Sequence, residues 1–198
     1  MRKLLMVCVV VGLAATGTAQ AAVTTLDFTE LPYQPVDGLS YMGVTFSFTI
    51  GGGHAMDAAY NSGGPGATTF VQDPSLEGDA TGILTLDFTP RPTNQLQFGV
   101  VLNNFAPMMP GFTVELFDTG LVSLGVTPVN TEPLVSFTEG QFTYSGSPIS
   151  RAIIDFKDTG YRFAFDNLKF NPVPAPGAIL LGSMGVGLLS WLRRRKTL

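Results

Sequence analysis

Thiol, imidazole and indole chemistry are nearly missing from this chain: its 198 residues include one cysteine, one histidine and one tryptophan. Cys8 lies inside the N-terminal apolar run, where it acts as one more hydrophobic side chain. The remaining chain folds without disulfides and offers no thiol nucleophile or thiolate metal ligand. A lone His54 excludes a multi-histidine zinc site and a Ser-His-Asp triad with a second base. In its glycine-rich setting it reads as a solvated loop residue. Charge is sparse too, at 13% of residues. No glycine-rich phosphate loop follows a strand and opens a helix, so nucleotide-binding motifs fail on context. No segment of the body holds a helical period for three turns.

The few basic residues are concentrated at the ends. Arg2 and Lys3 lie at the N-terminus, and Arg193, Arg194, Arg195 and Lys196 close the chain. Arg91, Arg151, Lys157, Arg162 and Lys169 are left to offset fifteen acids, all between Asp27 and Asp166. A body this acidic repels phosphate backbones, which excludes nucleic acid as a partner. It is compatible with divalent cations or a neutral glycan.

Both ends carry targeting signals. Met1-Arg2-Lys3 is a positive n-region, Leu4 to Ala15 is an apolar h-region, and Ala19-Gln20-Ala21 is an A-x-A site. Together they predict a secretory signal peptide over residues 1–21, read by the Sec translocon and cut by signal peptidase after Ala21. Residues 172–198 form a second signal. Pro172, Pro174 and Pro176 hold the approach extended. An apolar stretch follows, predicted as one short transmembrane helix over about 177–192. Ala178 to Leu192 reaches about 22 Å as a helix, against a hydrocarbon core of about 30 Å. Arg193 to Lys196 form a cytoplasmic stop that fixes the body outside. A short, marginal span suits a temporary anchor; a permanent type I anchor is the alternative.

Between these ends, residues 22–171 read as a single all-β domain. Val44, Phe46, Phe48 and Ile50 alternate with Thr45, Ser47 and Thr49, the pattern of a strand with one buried face. The same period runs through Leu84–Phe88, Leu96–Leu102, Phe112–Leu116, Ala152–Phe156 and Tyr161–Phe165. Short strands at this spacing predict an antiparallel, jelly-roll-like β-sandwich. Gly51 to Pro74 is expected as a long flexible loop or pair of loops, and Asn103 to Gly111 as an exposed turn with an apolar tip.

Asp-Thr-Gly occurs twice, at Asp118-Thr119-Gly120 and Asp158-Thr159-Gly160. Paired loops of this kind carry the shared proton of aspartic proteases, which keeps a hydrolase as a remote alternative. Leu121 and Tyr161 follow where Ser or Ala belongs, and the copies are too close in sequence to head separate lobes. Hairpin turns account for both, the second joining Arg151–Lys157 to Tyr161–Phe165. No base–nucleophile pair is in view, so the body is expected not to be an enzyme.

The end of the last strand is the most suggestive place in the body. Phe163 and Phe165 point one way, but Leu168 and Phe170 fall on the opposite phase. A one-residue slip near Asp166-Asn167 is required, most simply a β-bulge. A bulge frees carbonyls beside a carboxylate, which suits a hard cation. Asp166 with Asp27 or Glu30 is therefore a candidate structural calcium site, provided the first and last strands lie together.

The signal peptide, the Val-Pro-x-Pro mark, the short apolar run and the Arg-Arg-Arg-Lys end together resemble the PEP-CTERM family of exosortase-processed bacterial surface proteins. Val173-Pro174-Ala175-Pro176-Gly177-Ala178 matches the Val-Pro-Ala-Pro-Gly-Ala variant of that signal. The resemblance implies export, transient retention in the inner membrane, recognition by an exosortase-type enzyme, and transfer to the cell surface or exopolysaccharide matrix. Leu26 to Pro32, Tyr41 to Phe46 and Phe165 to Phe170 are also similar to the opening and closing strands of ectodomains found ahead of such tails. Those ectodomains are similar to carbohydrate-binding jelly rolls, which implies a structural or polysaccharide-binding body.

Overall fold

The computed structural model describes residues 22–157 and 161–173. They form β1 (Thr24–Leu26), β2 (Gln34–Pro35), β3 (Ser40–Tyr41), β4 (Val44–Ile50), β5 (Gly53–His54), β6 (Ala59–Ser62) and β7 (Ser75–Asp79). The series continues with β8 (Ile83–Asp87), β9 (Thr93–Leu102), β10 (Met108–Asp118), β11 (Ser123–Pro133), β12 (Thr138–Phe156) and β13 (Arg162–Pro172). Every pairing is antiparallel, and the described residues contain no helix. The all-β sandwich expected from the alternation is what forms. The signal peptide, the membrane helix at about 177–192 and the basic stop lie outside the described residues.

One long strand joins the two layers. Thr138 to Ser145 of β12 pairs with β9, whereas Ile149 to Asp155 lies between β8 and β10. The register breaks between Ser145 and Ile149, where Gly146-Ser147-Pro148 has poor sheet propensity and bends readily. The hydrogen-bonded path β2-β6-β7-β13-β9-β12-β8-β4-β3 therefore curls so that its halves face each other. The first layer holds β6, β7, β13, β9 and the start of β12. The second holds β4, β8, the end of β12, β10 and β11.

Aromatic rings fill the space between the layers. Phe156 stacks on Phe163 at 3.9 Å, Phe48 tilts onto Phe163 at 5.8 Å, and Phe98 meets Phe112 at 6.2 Å. These are side chains of one period-two face from each layer, all essentially inaccessible to water. Each full burial stabilises by about 1.5–3 kcal/mol. β12 ends in the second layer, between β8 and β10, whereas β13 lies in the first. The hairpin expected there is therefore corrected: β13 pairs with β9, β7 and β1 instead. Period two had identified the strands, but alternation does not say which layer a strand joins.

A buried, strained residue fixes the N-terminal entry. Phe28 has φ of 61°, a costly backbone state for a bulky side chain. The turn is held by Thr29, whose N–H and hydroxyl both donate to Asp27, and by the Asp27 N–H donating to Glu30. In return the ring packs against Tyr60, Phe165 and Phe46 with no exposure.

Truncating the interlayer stack tests this account. Phe163→Ala is expected to lower unfolding stability by about 3–5 kcal/mol in urea denaturation. A loss below about 1 kcal/mol would show that the stack does not hold the layers together.

Candidate functional site

The outward face of the first layer is where the structure departs most from a bare sheet. Gly51 to Pro74, expected as flexible loop, instead contains β5 and β6 and then an eleven-residue excursion, 63–73, ahead of Pro74 and β7. This excursion lies as a strap over the outside of the layer. It is a compact loop with its ends close together: the Gly64 N–H donates to Asp73 Oδ1 at 2.7 Å and closes the neck. Phe70 rests on Gly99, where a Cβ would meet the Phe70 carbonyl oxygen at 2.3 Å, so only glycine permits this approach. Val71 joins Val101 and Ala164 in a small cluster of its own, against Phe137.

Buried carboxylates satisfy the strap's backbone. Glu139, only 5% exposed, accepts the N–H groups of Thr69 and Phe70. Asp166 accepts the Gln72 N–H through Oδ2 at 2.9 Å. Asn167 donates from Nδ2 to the Phe70 carbonyl and to Asp166 Oδ2. Hydrogen bonds to ionised acceptors are roughly twice as strong as neutral ones, and they leave these buried amides satisfied.

The expected bulge is present. Between Asp166 and Lys169 the register slips by one residue against β9, and Asn167 takes φ of 55°. The second edge of β13 changes partner at this point, from β7 before the bulge to β1 after it. The first and last strands do lie together, with Leu26 opposite Leu168.

Asp166, Asp27 and Glu30 accordingly share one corner, close enough for the two outer charges to act on Asp166. They do not form an open three-carboxylate cage. Asp27 is tied to Thr29, whose hydroxyl and N–H hold it below its usual range. Glu30 accepts from the hydroxyl of Tyr60, whose ionisation is pushed up by burial and then by Glu30 itself. Among the described residues, no three Asp, Glu, His or Cys side chains are placed to share a metal. Asp166 is 1% exposed, and its Oδ1 has no hydrogen-bond partner. Burial pushes its carboxyl up to about 6, against the N–H groups of Gln72 and Asn167.

The other candidates resolve into structural roles. Asp118 Oδ1 accepts from Gly120 and Val122, making the β10–β11 turn. Asp158-Thr159-Gly160 lies outside the described residues. His54 is exposed on β5 and, contrary to a merely solvated role, bonds Asp37 at 2.9 Å. Burial works against the Asp37 charge, yet the Phe48 N–H and His54 outweigh it and lower its pKa. Of the tail motif only Val173 is described, half-buried beyond β13. Pro174, Ala175, Pro176, Arg193 to Lys196, Ala19 and Ala21 lie outside the described residues.

Sequence reasoning missed an open groove beside the strap. It runs over the outward face of β13, β9 and β12 and encloses about 340 Å³. Gln95, Gln97, Thr143, Ser145 and Lys169 face it, with Gln97 opposite both Thr143 and Lys169. Amides, hydroxyls and one ammonium in such a groove can hydrogen-bond a neutral polyhydroxylated chain.

No protein-family model and no curated protein matches the chain. Among solved structures, a carbohydrate binding module of family 29 aligns over 77% of this chain and 90% of its own, at 11% identity and TM-score 0.40. The CBM22-1–GH10 modules of Clostridium thermocellum xylanase 10B, complexed with xylohexaose, align over 79% and 29%, at 13% identity and TM-score 0.42. Tailspike protein 4 of Bacteriophage CBA120 aligns over 70% and 22%, at 13% identity and TM-score 0.37. Likeness at these values transfers neither ligand nor activity to this chain.

The Asp166 environment has a pH signature. Its native pKa lies above the ordinary carboxylate value, so its stabilising contribution is full below about pH 4 and lost as pH rises through about 6. In calcium-free buffer Asp166→Asn is expected to flatten this part of the profile, by up to about 3 kcal/mol at pH 7. Parallel wild-type and variant profiles between pH 4 and 7 would refute the assignment.

Proposed function

We propose that this is an exported surface or matrix protein whose folded body binds a neutral polysaccharide and performs no catalysis. The observation that carries the binding half is the groove across β13, β9 and β12, lined by Gln95, Gln97, Thr143 and Ser145. Its donors and acceptors are uncharged except for Lys169, which suits sugar hydroxyls better than phosphate or carboxylate ligands. The fifteen acids of the body disfavour polyanionic partners as well. Gln95, Gln97, Thr143, Ser145 and Lys169 stand on paired strands, so little backbone ordering entropy is lost on binding.

The sorting half rests on the two ends of the sequence. A signal peptide ending at Ala21 supports export. The Val173 to Pro176 motif, short apolar run and Arg193 to Lys196 stop support transient retention in the inner membrane and processing by an exosortase-type enzyme. The body would then reside at the cell surface or in an extracellular polysaccharide matrix.

Two experiments test the halves separately. The full chain is expected to be retained on a neutral-glycan array or immobilised neutral polysaccharide, with Gln97→Ala and Thr143→Ala each weakening binding about three- to tenfold. Binding unaffected by both substitutions would remove the groove from the proposal. Deleting Val173–Leu198 is expected to move the protein out of the membrane and surface fractions into the soluble export fraction. If the truncated and full-length proteins distribute alike, the tail does not sort this chain.

A further inference from the structure

The turn between β10 and β11 exposes apolar side chains that the fold does not use. Leu121, Val122 and Leu124 are each half exposed or nearly so, and residues 119 to 126 carry no charge. Leu121 also takes φ of 60°, a costly state for a bulky residue. At Phe28 the burial of the ring offsets the same strain. Leu121 belongs to no buried cluster, so the core gives nothing in return. The backbone of the tip is nonetheless well satisfied. Asp118 accepts the N–H groups of Gly120 and Val122 on its carboxylate and that of Leu121 on its carbonyl, and its own N–H donates to the Val122 carbonyl. An apolar tip whose amides are paired internally can enter a medium without water. The boundary between lipid headgroups and acyl chains is such a medium.

Position selects the occupant. Pro172, Thr93, Ile149 and Asp118 are successive register partners on β13, β9, β12 and β10. Three strand spacings of about 4.8 Å put the turn within about 15 Å of the place where the chain leaves β13. Beyond Val173 only four residues precede the apolar run that begins at Ala178. Five backbone steps limit the distance from that exit to the run to about 18 Å. A tail held in the membrane therefore keeps this end of the body, and the tip with it, close to the bilayer surface. Arg91 lies at the same end, in the turn from β8 to β9. It is exposed, forms no ion pair among the described residues and suits lipid phosphates.

We propose that Leu121, Val122 and Leu124 dip into the lipid bilayer that holds the tail, with Arg91 at headgroup level. The chain exit and the tip then give the body two points of contact, which fix its tilt. They also keep the exit at the membrane surface, within reach of a processing enzyme embedded there. This inference rests on the membrane retention proposed above and not on the polysaccharide groove.

The test uses the exported chain, isolated from membranes and reconstituted in vesicles of phosphatidylethanolamine and phosphatidylglycerol. In a Cys8→Ser background, Val122→Cys is labelled with the fluorophore NBD. Interfacial apolar groups lie about 5–10 Å deep, so the label is expected to lose at least about half its fluorescence to lipids bearing a nitroxide on an upper acyl carbon. The same label at Val135 is expected to show no quenching. Val135 is 98% exposed in the turn from β11 to β12, at the far end, where Thr138 pairs with Leu102. Leu121→Asn suits the left-handed backbone, and with Leu124→Asp it should remove most of the quenching at 122 without lowering Tm. The proposal is overturned if the label at 122 is quenched no more than that at 135, or if the paired substitutions leave the quenching unchanged. A label shielded from aqueous iodide yet untouched by the lipid nitroxide would put a second copy on the tip and overturn it too. A chain that does not float with the vesicles overturns the membrane role of the tail and this proposal together. A floating chain with an unquenched label at 122 refutes this proposal alone.

Discussion

The fold depends on keeping two rows of aromatic rings dry. No disulfide can hold this body together, because its one cysteine falls in the N-terminal apolar run. Surface ion pairs are few and exposed ones contribute little. Stability must come from burying Phe48, Phe98, Phe112, Phe156, Phe163 and Phe165 between the layers. That requirement explains why β12 bends at Gly146 to Pro148 and serves both sheets. A curled sheet brings two apolar faces together without leaving long unpaired edges between them. It also explains the unfavourable backbone at Phe28, since the ring burial offsets the local strain.

On this frame the strap is a second, smaller construction with its own rules. It lies on a face that would normally meet water, so it must satisfy its backbone amides without a neighbouring strand. Glu139 and Asp166 do so by pointing outward from the sheet into the loop, and Asp73 closes the neck. Carboxylates used in this way are dehydrated, and for Asp166 the consequence is a raised pKa. The outer face is thereby divided into a covered half and an open half. The open half, with its glutamines and hydroxyls, is the part available to a ligand.

Much of this was legible beforehand where one rule dominated. β4 appears with the bounds its alternation suggested, because strict period two over seven residues has only one good solution. The phase change between Phe165 and Leu168 located the bulge for the same reason. The excursion over 63–73 shows only as loop in the sequence, since its small residues give no period and its anchors, Glu139 and Asp166, are far away along the chain. One local signal did exist. Val101 shares the outward phase of β9 with Gly99 and is nonetheless apolar, and the structure shows it buried under the strap's Val71. β11 leaves no period-two signal because it is an exposed edge whose residues show no buried alternation.

By itself the sequence determined the class of the body and the character of its ends. Alternating phenylalanines dictate pleated sheets packed face to face, the body is acidic, and apolar runs with basic flanks stand at both ends. These properties are local, each readable within a few residues of the chain. Tertiary structure alone decided which strands neighbour one another, where β12 changes layer, and that β13 pairs with β9, β7 and β1 rather than with β12. It also decided which parts of the surface are neighbours. The β10–β11 turn stands beside the chain exit only because β13, β9, β12 and β10 pair in succession, and the groove exists only because β13, β9 and β12 lie side by side. Such sites depend on distances between remote residues, which packing sets and composition does not.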